Sequence, residues 1–492
     1  MPGTDPDTAR GRVRVLARSG IRGDGDYVLY WMTSARRLSW NHALDRAIAW
    51  SLELDRPLVI LEALRAGYEF ASPRLHRFVM DGMADKTKVD LPEGVTYWPY
   101  VEREPGEGSG LLETLMAQAA LVVADDFPEF FLPRMLDAAA ARCPVRFEAV
   151  DTNGLAPMAA VERPYPSAYH FRRALQKTLP DWIDLAPADR PFEGWASPGP
   201  ASIPAQLDER WPASTAAELE SSRFLAGLPL DASVAPVAYR GGEVEGAKVL
   251  SRFIQDRLPR YGSDRNHPDR QATSELSPYL HFGHVSAFQV FDAVGSMEGW
   301  TPLRLSSESA GKREGWWGMS PAAEAFLDQL VTWRELGYNR SYHDKDHRRY
   351  GALPDWARAT LREHADDPKD HVYDLEVFQS ASTHDPVWNA AQQELLTDGR
   401  IHNYLRMLWG KKILEWSENP QTALAIMMEL NDRFAIDGRD PTSYSGIFWI
   451  LGRYDRPWPE RPVFGKVRSM SSERARKKVD MEDYMQRHGK PG

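Results

Sequence analysis

Ile401-His402-Asn403-Tyr404-Leu405-Arg406-Met407-Leu408-Trp409-Gly410-Lys411-Lys412-Ile413-Leu414-Glu415-Trp416 spaces its apolar residues at the period of an α-helix. Trp409 and Trp416 fall two turns apart, ~10 Å along the axis and on nearly one face. Outward from this run the same periodicity recurs over 247–258, 323–338, 357–364, 385–396 and 420–433, so 241–492 is expected to be an all-helical domain. The other end of the chain reads differently. Tyr27-Val28-Leu29-Tyr30-Trp31, Pro57-Leu58-Val59-Ile60-Leu61, Leu121-Val122-Val123 and Val145-Arg146-Phe147 are short apolar runs separated by helical stretches at 41–53 and 73–85. That alternation predicts an α/β domain on a parallel, Rossmann-like sheet over 12–184. The Pro-, Gly- and Ala-rich stretch 185–240 reads as a connector, ordered only if Trp195 and Trp211 dock.

Composition narrows the chemistry. With 42% hydrophobic and 26% charged residues over 492 positions and no long uninterrupted apolar run, a soluble protein without a membrane span is expected. The opening MPGTDPDTARGR lacks the apolar core of a signal peptide, and Cys143 is the single cysteine, so we expect a cytoplasmic protein without a disulfide framework. No HExxH or comparable ligand spacing is present, and no metal is expected. No GxGxxG or GxxxxGK[ST] follows a strand, which argues against a conventional nucleotide loop. A net charge of −10 means that a nucleic-acid partner needs a local basic face. Seventeen Trp against 18 Phe and 18 Tyr is an excess of indole that invites stacking or electron-transfer work beside packing.

Two stretches carry possible chemistry. Ala272-Thr273-Ser274-Glu275-Leu276-Ser277-Pro278-Tyr279 sets three hydroxyls before a helical run, either as a plain N-cap or as a seat for phosphate oxygens. Arg453, Arg456, Arg461, Lys466 and Arg468 concentrate positive charge near the C-terminus, as a solvated face or as phosphate contacts.

Taken with Trp388-Asn389-Ala390-Ala391-Gln392, Leu430-Asn431-Asp432, Asp437-Gly438-Arg439-Asp440-Pro441 and Glu460-Arg461-Pro462-Val463-Phe464-Gly465-Lys466, the 401–416 run resembles the flavin-binding domain of class II photolyases, in the photolyase and cryptochrome superfamily. These are light-driven repair enzymes for cyclobutane pyrimidine dimers in DNA. The likeness extends from about Arg12 to Tyr484. It implies FAD held by Tyr261, Thr273, Ser274, Ser277, Arg406, Met407, Asn431 and Asp437, with Arg406 paired to Asp437 and Asn431 facing flavin N5. It implies photoreduction through Trp409, Trp388 and Trp416. It implies a flipped dimer cradled by Trp333 and Trp449 in UV-damaged DNA whose backbone meets Arg456 and Arg461. The α/β domain of such proteins often adds an antenna chromophore, a deazaflavin or a folate, and a monomer is expected.

One residue departs from the family pattern, which has Glu where this chain has Gln329. In an α-helix Gln329 and Trp333 share a face, while Asp328 and Glu335 point away by roughly 100° or more. An amide keeps a hydrogen-bond donor for the dimer carbonyl but cannot exchange a proton near neutral pH. Two readings follow: a dimer-splitting lyase of reduced activity, or a cryptochrome-like light-signalling flavoprotein without repair.

Overall fold

The computed structural model describes residues 11–489. By internal contacts the chain forms two units. The first takes in residues 11–161, Thr178–Ser251 and Glu275–Pro302, and the second Glu162–Lys177, Arg252–Ser274 and residues 303–489.

The first unit is built on six strands, β1 (Val13–Ala17), β2 (Tyr27–Trp31), β3 (Leu58–Leu64), β4 (Val95–Val101), β5 (Ala119–Asp125) and β6 (Phe147–Val150). They are ordered β1-β6-β5-β2-β3-β4, all parallel except β1 against β6. β2 is buried at every residue, as a strand covered on both faces must be. The four expected strands are present, and β1 and β4 add to them. Helix His42–Leu54 begins where the Asn41 side chain accepts the N–H groups of Ala43 and Leu44.

Strand order reverses between β2 and β5, the place where open α/β sheets usually present backbone N–H groups to a ligand. Here Asp125, wholly buried at the end of β5, fills that position itself. Its Oδ2 accepts the N–H groups of Thr33, Ser34 and Ala35 at 2.7, 2.8 and 2.9 Å, and its Oδ1 accepts the Tyr30 hydroxyl at 2.7 Å. The absence of a nucleotide-loop motif thus has a structural counterpart.

The 185–240 stretch packs in this unit through its indoles. Trp211 is 1% exposed, donates from Nε1 to the Glu107 carbonyl and accepts Trp98 Nε1–H on its own carbonyl. Trp195 donates to the Glu93 carbonyl.

The second unit is helical. Three of its long helices open on an acid or amide followed by proline: Asp385 before Pro386–Asp398, Asn419 before Pro420–Phe434, and Asp440 before Pro441–Ile450. In each the first side chain accepts first-turn N–H groups and the proline occupies a position that needs no donor. Asn403–Trp416 lies between the first two of these helices in sequence. The expected helix over 323–338 is interrupted: Pro321–Leu327 and Arg334–His343 are α-helical, but Asp328–Trp333 is a π-helix. A second π-turn, Phe253–Arg257, follows Glu243–Arg252 in the 247–258 region. Hydrophobic periodicity cannot register the one-residue surplus of a π-turn, which is frequent at functional sites. No helix among the described residues is long and apolar enough to cross a membrane.

Asp125→Ala should destabilise the protein by about 3 kcal/mol or more in urea unfolding, because it strands three buried N–H groups. Asp125→Asn, which keeps an acceptor oxygen, should cost less.

Candidate active site

Arg406 lies in the first turns of Asn403–Trp416, and its Nη2 reaches Asp437 Oδ1 at 3.0 Å and Oδ2 at 3.3 Å. Asp437 belongs to the turn after Pro420–Phe434, and that turn is fastened by a residue the sequence reading assigned no role. Asp432 Oδ1 accepts Asn431 Nδ2–H at 2.9 Å and the Arg439 backbone N–H at 3.2 Å, while its Oδ2 accepts the Tyr444 hydroxyl at 2.7 Å. Burial raises the Asp432 carboxyl above its usual range. Arg439, at φ 60°, donates its guanidinium to the carbonyls of Asp432, Ala435 and Ile436. Gly438 is required there, since a Cβ would stand 2.5 Å from the Asn431 carbonyl oxygen.

This lattice orients Asn431. Its Oδ1 accepts the Ser443 hydroxyl at 2.8 Å and one N–H is held by Asp432, so the amide has one further N–H to offer. Met407 is half-buried on the Arg406 helix.

The three expected indoles come together. Trp388, Trp409 and Trp416 are 0%, 2% and 4% exposed. Trp409 donates from Nε1 to Gln392 Oε1 at 2.8 Å, and Trp388 donates to the Trp409 carbonyl at 2.9 Å. The Trp388 and Trp416 rings lie 6.3 Å apart at 67°. At the outer end Trp416 packs against His384 at 4.8 Å and Tyr373 at 6.0 Å, with the Lys412 ammonium 5.1 Å from its ring.

Trp333 and Trp449 also meet, stacked at 4.5 Å with planes 16° apart. Trp449 sits near the end of Pro441–Ile450, and that end is held by Lys411. The lysine is 1% exposed, donates to the Ile450 carbonyl, and is pushed by burial down to about 7.

Gln329 lies in the π-turn with Trp333 and is half-buried. The neighbouring carboxylate, Asp328, is bound by Arg172 at 2.7 Å and is 8% exposed, so it cannot stand in for a glutamate at 329.

Tyr261 is buried with its ring edge-on to Phe253 at 5.8 Å and Phe326 at 5.3 Å. Thr273 and Ser274 are half-buried between two left-handed residues, Gln271 at φ 46° and Glu275 at φ 60°. The Thr273 carbonyl accepts from Arg257 at 3.1 Å. Ser277 opens helix Ser277–His281, which belongs to the first unit.

Arg456 and Arg461 are exposed. They flank Trp458, 40% exposed, whose ring lies 5.3 Å from the Arg468 guanidinium; this outward indole escaped the sequence reading. Arg453, grouped with the basic residues on sequence, is instead 3% exposed, with its guanidinium 3.9 Å from the Phe448 ring.

No family model matches the chain. It is 33% identical over 466 residues to the deoxyribodipyrimidine photo-lyase of Methanothermobacter thermautotrophicus, covering 94% of each protein. It is 32% identical over 499 residues to that of Oryza sativa, covering 96% of this chain and 89% of the other. Among solved structures, a class III photolyase from Agrobacterium tumefaciens superposes with a TM-score of 0.65 at 19% identity over 96% of this chain and 87% of that one, a likeness of fold.

Stacked indoles couple their ultraviolet transitions, so the protein should show an exciton couplet in circular dichroism. Trp333→Phe and Trp449→Phe should each remove the same component of it, leaving what the Trp388–Trp416 and Trp316–Trp317 pairs contribute, and a spectrum unchanged in both variants would contradict the stack.

Proposed function

The chain belongs to the deoxyribodipyrimidine photolyase family, and from that premise we propose that it is a light-driven repair flavoprotein that splits the cyclobutane ring of pyrimidine dimers in UV-damaged DNA. The observation that carries this reading is the run of three buried indoles that begins one turn beyond Arg406 on the same helix.

The donor set suits FAD. Tyr261, Thr273 and Ser274 offer hydroxyls to phosphate oxygens. Arg406, held by Asp437, and Asn431, held by Asp432 and Ser443, present fixed donors to a flavin ring, with Met407 beside them. These residues would hold a reduced FAD, and the chemistry it would supply there is reversible, light-driven one-electron transfer.

The chain's own residues do the rest. Trp333 and Trp449 exchange their mutual stack for contact with the flipped lesion, which offsets part of the unstacking cost. Gln329 donates an amide N–H to a dimer carbonyl as charge develops on it, an interaction worth roughly 1.5–3 kcal/mol. The amide neither gives nor takes a proton, so this chain stabilises the intermediate by hydrogen bonding without proton exchange. Arg456 and Arg461 reach backbone phosphates as exposed cations. Trp416, Trp388 and Trp409 would pass an electron from an external thiol, in that order, toward an oxidised flavin held beside Arg406. A second, antenna chromophore, deazaflavin or folate, would belong to the α/β unit, and since Asp125 already occupies the three N–H groups after β2, other groups must hold it there.

Purified protein should be yellow with about one FAD per chain. Trp409→Phe should abolish light-driven reduction in the presence of an external thiol, while dithionite still reduces the flavin. Unchanged photoreduction kinetics in that variant would mean that the indoles only pack.

A further inference from the structure

The last described helix, Glu482–His488, is tied into the helical unit by bonds that converge on two segments assigned above to the cofactor site. Tyr484 is 2% exposed, and its hydroxyl donates to Glu394 Oε2 at 2.7 Å. The same oxygen accepts the His402 backbone N–H at 2.8 Å. His402 is the N-cap residue of Asn403–Trp416, makes no side-chain cap itself, and accepts the Arg406 N–H on its carbonyl at 2.9 Å. One carboxylate oxygen therefore joins the C-terminal helix to the first turn of the helix that bears Arg406 and Met407.

The same helix is fastened on a second side. Asp269 accepts the Asp483 N–H on Oδ2 at 3.2 Å and the Tyr484 N–H on Oδ1 at 2.8 Å, so it satisfies donors that a helix start leaves open. Arg270 donates from Nε and Nη2 to Asp480 Oδ2 at 3.0 and 2.8 Å, and the Asp480 N–H donates to His267 Nδ1 at 3.2 Å. Residues 267–270 lead directly through Gln271, in its left-handed conformation, to Thr273 and Ser274.

We propose that the C-terminal segment Asp480–Tyr484 is a clasp for the cofactor site, with Tyr484 and Glu394 as positioning residues for the Arg406 helix and Asp269 as the positioning residue for the Thr273–Ser274 segment. The inference rests on the flavoprotein reading above and extends it to residues that touch no cofactor atom. Burial raises the Glu394 carboxyl, yet a charged and a neutral carboxyl oxygen can both accept the two bonds, so the clasp depends on an acceptor at this place and not on its charge. Asp398 and His488 bring possible ligand atoms within 4.8 Å of this carboxyl, but one of its oxygens is already engaged twice and the Arg400 guanidinium supplies positive charge nearby.

The test measures FAD release by flavin fluorescence and hydrogen–deuterium exchange over 402–407 and 267–274 in wild type, Tyr484→Phe, Glu394→Gln, Glu394→Leu and the Tyr484→Phe/Glu394→Leu double variant. Tyr484→Phe should speed FAD release roughly tenfold and raise exchange over 402–407, as expected for loss of one buried hydrogen bond. Glu394→Gln, which keeps an acceptor, should stay near wild type, and the double variant should release FAD no faster than Glu394→Leu alone because the two residues share one interaction. Unchanged release and unchanged exchange in Tyr484→Phe would overturn the clasp. A wild type that takes up no FAD would instead overturn the flavoprotein reading, and the exchange measurement would still decide the clasp.

Discussion

A buried indole N–H without an acceptor costs about 1–3 kcal/mol, and the helical unit is arranged around meeting that demand twice in succession. Trp409 finds Gln392 and Trp388 finds the Trp409 carbonyl, two bonds that cross-link Pro386–Asp398 to Asn403–Trp416 and fix their register. Once that register is set, Trp388 lies beside Trp416, and Glu394, on the same helix as Gln392, meets the backbone of His402. The third helix, Pro441–Ile450, approaches at Gly410, where a Cβ would stand 2.1 Å from Ile450 Cδ1. That close approach lets the adjacent Lys411 reach the Ile450 carbonyl and so anchors the helix that presents Trp449. The indole run and the stacked pair thus share one helix–helix packing problem.

A different kind of constraint governs polar residues near the proposed cofactor. Asp432 is a buried carboxylate that collects an amide, a backbone N–H and a phenol, and a fully satisfied network of this kind holds a single geometry. Asn431 gains its orientation from Asp432 and Ser443, and Asp437 hangs from the same turn. At the proposed lesion side the equivalent device is the π-turn that carries Gln329 and Trp333, while Arg172 binds the Asp328 carboxylate. The Gln329 departure is therefore not compensated by its nearest acid.

Much of this was legible in the sequence because the elements concerned announce themselves by period. The run at 401–416 and the Asp-Pro or Asn-Pro helix starts are local signals, and buried strands such as β2 read as unbroken apolar runs. β1 was not legible, since Val13–Ala17 is only partly buried and mixes arginine with aliphatics, and β4 hides behind a proline at position 99. The two π-turns were invisible because a single surplus residue leaves the apolar spacing nearly unchanged. Among the residues named through the family resemblance, Arg406 and Asp437, the three indoles, and Trp333 with Trp449 lie beside one another in the structure, although their roles do not follow from that proximity. Asp432, Glu394 and Tyr484 were missed, because what distinguishes them is a partner 7 to 90 residues away, a fact that only folding creates. Arg453 shows the converse: a cation grouped by sequence with exposed neighbours folds inward over Phe448.

The most direct test of the account is the yield of dimer splitting under blue light by fully reduced protein at saturating lesion DNA, read as restored thymine absorbance in wild type and Gln329→Glu. The account predicts light-dependent splitting by wild type, with the Gln329→Glu variant equal or higher and a dark control at zero. No splitting by either protein, with flavin bound and reduced and lesion DNA bound, would contradict it.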